Sequence, residues 1–127
     1  MQRFTNFHGG FVEHIWLYGE PSREWFVAAH GVFVITLTEF IAQMRDGLLL
    51  VLPLGVSALP FKTFKVENIR FEGAWLLSAQ LTSNGALKIE IRNCLAEKRT
   101  VEALLPDGNK KTYTINAKES VKETIRL

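Results

Sequence analysis

The sequence predicts a mainly β fold, an antiparallel β-sandwich carrying one substantial α-helix in its N-terminal half, and three observations predict it. Phe33, Leu37, Phe40, Ile41 and Met44 form one apolar stripe at helical spacing, with Thr36, Glu39 and Gln43 on the opposite side. Leu48 to Pro53 then run apolar without alternation. From Lys65 onward the chain breaks into short alternating runs separated by turn residues, which is how a sandwich reads.

Taken in order, residues 1 to about 28 are aromatic and irregular, with Phe4, Phe7, Phe11, Trp16, Tyr18, Trp25 and Phe26 set among Gly9, Gly10, Gly19 and Pro21. Within them, periodicity leaves 11–18 open between a strand and a short helix. The helical stripe predicts a helix from Ala29 that Asp46-Gly47 closes as a C-terminal cap. The run from Leu48 predicts a strand covered on both faces. A loop from Gly55 to Pro60 leads into the sandwich.

Two hairpins follow. Trp75, Leu77, Ala79 and Leu81 alternate with polar or outward positions up to Asn84-Gly85, and Leu87, Ile89 and Ile91 alternate with Lys88, Glu90 and Arg92 beyond it. Asn-Gly predicts a type I′ turn with both central residues at positive φ. Pro106-Asp107-Gly108-Asn109 predicts a second turn, joining 100–105 to 112–115. Val121 to Leu127 is the expected closing strand.

Composition bounds the possible functions. The 127 residues are 47% hydrophobic and 22% charged, enough apolar mass for the core of a globular domain. Lys and Arg number 15 against 13 Asp and Glu, and the lysines are spread along the chain, so nucleic acid is not expected as partner. A single Cys94 excludes an intrachain disulfide and a Cys-based zinc site. No run reaches the roughly 18 apolar residues of a membrane span, and the first ten residues lack the apolar core of a secretory signal. The compartment stays open.

Chemistry-bearing patterns are sparse. His8, His14 and His30 form no His-Glu-x-x-His pattern. Gly55-Val56-Ser57-Ala58-Leu59 has Leu where a nucleophile elbow requires Gly, which excludes Ser57 as a nucleophile. Among the lone carboxylates, which read as solvated or capping residues, Glu39 is the one for which burial stays open, since it rides on the helix. Neither cofactor nor metal is expected. Trp16, Tyr18 and Trp25 have two uses open to them: filling a core, or offering flat faces on which a sugar ring stacks.

The run Glu39-Phe40-Ile41-Ala42-Gln43-Met44, then Arg45-Asp46-Gly47, then an apolar strand ending in Leu52-Pro53, resembles a junction in glycoside hydrolase family 95, whose members include α-L-fucosidases. There the last helix of a helical catalytic barrel meets a C-terminal β-domain. Residues 64–79 are similar to the next two strands of that domain, and the resemblance spans roughly residues 25 to 105. It implies two parts: 1–47, an aromatic segment and helix resembling the end of the barrel, and 48–127, the C-terminal β-sandwich. Aligning Glu39 with the family's helix Glu places Ala28 where the family's general-base Asp stands and His30 near its Asn. Inverting hydrolysis needs two carboxyl groups about 6.5–9.5 Å apart, and the resemblance supplies neither.

The expectation is therefore a non-catalytic accessory domain whose partner is a glycosidase's helical barrel or a second copy of itself. A freestanding carbohydrate-binding module using Trp16, Tyr18, Trp25 and His30 is the alternative, and an oligomeric structural protein is another. The helix stripe needs cover, which predicts a dimer or higher oligomer burying part of residues 1–45.

Overall fold

The computed structural model describes residues 27–59 and 61–127, with side chains from Gly31 onward. It contains one helix, α1 (Val27–Ile41), and eight strands: β1 (Ala42–Arg45), β2 (Leu48–Val51), β3 (Phe64–Phe71), β4 (Trp75–Leu81), β5 (Ala86–Asn93), β6 (Arg99–Leu104), β7 (Lys110–Ile115) and β8 (Ser120–Arg126). The division between two compact units falls at Leu37/Thr38, inside α1.

The helix ends earlier than the apolar stripe implies. At Ala42 the backbone turns extended, and β1 pairs antiparallel with β2 in register Ala42↔Val51 to Arg45↔Leu48. Asp46 and Gly47, at φ 50° and 78°, form the two-residue connection. Positive φ at both central positions is the type I′ signature, whose twist matches that of paired strands. Asp46-Gly47 is thus a hairpin turn and not a helix cap. Pairing gives the backbone groups of 42–45 partners on β2 that a further helical turn would have sought within the helix.

The strands form two sheets, ordered β1-β2-β6-β7 and β3-β4-β5-β8. Their inward side chains make one core: Leu49 and Val51 of β2, Val101 and Ala103 of β6 and Ile115 of β7 meet Trp75, Leu77, Leu87, Ile89, Ile91 and Ile125. That is a β-sandwich, as the alternation predicts. β2 has one fully buried face, with Leu49 and Val51 inside and Leu48 and Leu50 half-buried. The expected cover on both faces is not there, because the second face of this sheet has no further layer among the described elements of the β unit.

One pairing is parallel. β2 and β6 run side by side, Leu48↔Glu102 to Leu50↔Leu104. Parallel neighbours need a crossover, and here the meander β3-β4-β5 supplies it by passing through the opposite sheet.

β4 and β5 form the predicted hairpin, with inward residues opposite inward residues, Leu77↔Ile91 and Leu81↔Leu87 among the pairs. Its turn differs. Gly85 alone among the turn residues has positive φ, at 76°, its N–H donates to Thr82 O (3.0 Å), and Thr82 N–H donates to Ala86 O (3.0 Å). This is a turn closed by a glycine bulge, a three-residue connection in place of type I′. The β6-β7 turn repeats it: Gly108 N–H donates to Leu105 O (2.9 Å) and Leu105 N–H to Asn109 O (2.9 Å).

Candidate functional site

Of the residues singled out from sequence, Trp16, Tyr18 and Trp25 lie outside the described residues. His30 occupies the first half of α1, and its side chain also lies outside them. Glu39 is exposed, which closes the option of a buried carboxylate on the helix. The helix turns its acidic position to water, and the backbone oxygen of Glu39 accepts from Gln43 Nε2 (3.2 Å). Ser57 is exposed in a short 3-10 turn, Val56–Ala58. Among the described residues, no three His, Cys, Asp or Glu side chains gather in a group that could hold a metal ion.

The structure instead assembles polar side chains that the sequence keeps apart. The outer face of the β3-β4-β5-β8 sheet is a groove of about 420 Å³. Cross-strand register builds it in rows. Lys65 faces Gln80, Gln80 faces Lys88 and Lys88 faces Thr124, so one row crosses all four strands. In the next, Ser78 faces Glu90 and Glu90 faces Lys122. Ser120 Oγ donates to Glu90 Oε1 (2.6 Å), with Lys122 Nζ 3.7 Å from Glu90 Oε2. Lys65 pairs with Glu67 at 2.9 Å. β3 carries one extra residue between Val66 and Ile69, with Asn68 at φ 60° donating its N–H to Ser78 Oγ (3.1 Å). This bulge adds a backbone donor to the groove's second row.

Where the edges β7 and β8 approach, Glu123 takes hydrogen bonds from Lys111 Nζ and Tyr113 Oη. Its side chain is 20% exposed. Burial pushes the carboxyl upward, but the bonds from Lys111 and Tyr113 and the Lys111 charge outweigh this and hold it below its ordinary value. Tyr113 is raised, first by burial and then by donating to the Glu123 carboxylate. The cluster therefore clamps one sheet to the other with ionised Glu and Lys and a neutral Tyr.

At the far end of the sandwich Asn93 is fully buried. Its Nδ2 lies within bonding distance of Glu97 O (2.6 Å), Ile115 O (3.2 Å) and Asn116 O (3.2 Å), and its Oδ1 accepts from Leu95 N–H (3.0 Å). Close by, Arg99 lies 4.9 Å over the Trp75 ring and donates to Gly73 O. These are joints between sheets, not reactive groups.

Comparison with protein-family models, with curated proteins and with solved structures finds no match to this chain.

Proposed function

We propose that this chain is a non-catalytic accessory domain, the C-terminal β-domain of a family 95-like glycoside hydrolase. The observation that supports it is the run of α1 into β1 without an intervening loop, on a helix that leaves Val32, Val34 and Ile35 at 65%, 58% and 61% exposure. Apolar area removed from water contributes about 25 cal/mol per Å², so a helix of this kind gains by joining a helical layer. Asn93 and the Lys111, Tyr113 and Glu123 cluster join the two sheets of the β unit, an arrangement suited to a rigid support.

Two experiments test the reading. A reading frame that continues upstream of Met1 into a helical barrel supports it, and an in-frame stop there overturns it. The purified chain is also expected to leave aryl α-L-fucosides intact, because Ala28 stands where the family's base would be. Turnover that vanishes on changing one of Glu13, Glu24 or Glu39 would contradict the accessory role.

A further inference from the structure

The groove on the β3-β4-β5-β8 face has a composition that points to a ligand. The groove is lined by Lys65, Lys88 and Lys122 against Glu67, Glu90 and Glu123, and the register places Arg70, Arg92 and Arg126 on the same outer face beside it. Each of the three carboxylates has a cation of its own, Glu67 with Lys65, Glu90 with Lys122 and Glu123 with Lys111. Lys88, at the centre of the row, has neither ion pair nor hydrogen bond among the described residues.

The rest of the lining narrows the chemistry. Gln80 and Thr124 flank Lys88, and Ser78 with the Glu90 carboxylate lies in the adjoining row. These groups donate to and accept from hydroxyls. No aromatic side chain lines the groove, so it lacks the stacking platform that single-stranded nucleic acid uses and that a neutral sugar ring would favour. The outward side chains of the lining are Lys, Glu, Gln, Ser and Thr, so a ligand meets their polar ends before their aliphatic stems. What fits is an anion whose remainder is hydroxyl-bearing. At about 420 Å³ the groove is the size of a small-ligand site, and it crosses four strands spaced about 4.8 Å apart, so a short chain of rings can lie along it.

We propose that this groove binds acidic saccharides, with a uronate carboxylate against Lys88 and ring hydroxyls against Gln80, Thr124 and Ser78. The site does not depend on attachment to a glycosidase, and it uses none of Trp16, Tyr18 and Trp25.

The test is titration of the full chain at low ionic strength with tri-galacturonate, followed by amide chemical shifts and calorimetry. Tri-galacturonate is expected to shift the amides of Gln80, Lys88 and Thr124, while maltotriose, a neutral trisaccharide, is not. Inorganic sulfate is expected to bind more weakly than tri-galacturonate. Replacing Lys88 by Gln removes a charge-assisted bond and is expected to weaken binding about tenfold or more. K88R is expected to restore most of it, and K98Q, on the exposed β5-β6 connection, to leave it within about twofold. Lys88 is exposed, so these variants keep the fold, which circular dichroism checks. Equal losses in K88Q and K98Q would reduce the binding to unspecific charge attraction and overturn the proposal. So would equal binding of maltotriose, sulfate binding as tightly as tri-galacturonate, or no binding of tri-galacturonate. None of these outcomes bears on the reading frame upstream of Met1, so the two proposals fail separately.

Discussion

At residue scale the most demanding position is Asn93. It sits fully buried at the end of β5, where its amide nitrogen reaches three carbonyl oxygens and its carbonyl accepts from Leu95. Leaving buried polar groups unpaired costs about 1–3 kcal/mol each. N93A is therefore expected to lower unfolding free energy by about 3 kcal/mol or more in urea titration. N93D keeps the shape but aims an acceptor at carbonyl oxygens, and at pH 7 it should be at least as damaging. An N93D protein as stable as wild type would refute the account. The position was readable in one respect, since Leu87, Ile89 and Ile91 set an inward parity that Asn93 continues. Its partners were not readable, because Ile115 and Asn116 reach it only through the fold.

Glu123 gives the pH dependence at the same scale. Its folded value lies below the ordinary one, so its contribution is fully present above the unfolded glutamate value of about 4.3 and is lost as pH falls through the folded value. Stability should therefore decline more steeply below about pH 4.3 in wild type than in E123Q, which keeps a carbonyl for Lys111 and Tyr113 but cannot titrate. Parallel stability curves for the two proteins in that range would show that the clamp carries no such linkage.

The elements show where local patterns compete. The helical stripe from Phe33 to Met44 is real as spacing, yet its last member lies on β1, because Asp46-Gly47 folds 42–45 back on 48–51. Asp-Gly between apolar runs is a strong hairpin signal, and here it prevails over helical periodicity. The strands of the two longer hairpins and their inward faces were legible, while the turn class of the first, and the register that goes with it, was not. In the β4-β5 turn Gly85 holds φ 76°, with the Leu127 carbonyl 3.4 Å from where a Cβ would stand. G85A is accordingly expected to cost about 1–2 kcal/mol in thermal or urea unfolding, and unchanged stability would mean that the turn relaxes to another form. S83G, at an exposed position of the same loop, is the control and should cost much less.

On the scale of the whole molecule, the fold class follows from alternation, while strand order does not. Nothing in the pattern of Leu48 to Val51 announces a parallel neighbour fifty residues on, and the groove exists only because positions 65, 80, 88 and 124 become adjacent. What the chain does with its exposed helix is also a property of this scale. Val32 and Ile35 stand one turn apart on α1, on the same side, and are 65% and 61% exposed. Without a helical partner, that surface is expected to pair with a second copy, in an interface of roughly 1,200–2,000 Å² in total. Sedimentation at about 100 μM, well above the micromolar range of a moderately stable pair, should then show a dimer or larger species, and V32E/I35E should be monomeric because a carboxylate at each position would have to be buried unpaired. A wild-type chain that sediments as a sharp monomer would sink the self-association expectation, and a V32E/I35E protein that still dimerises would place the interface elsewhere.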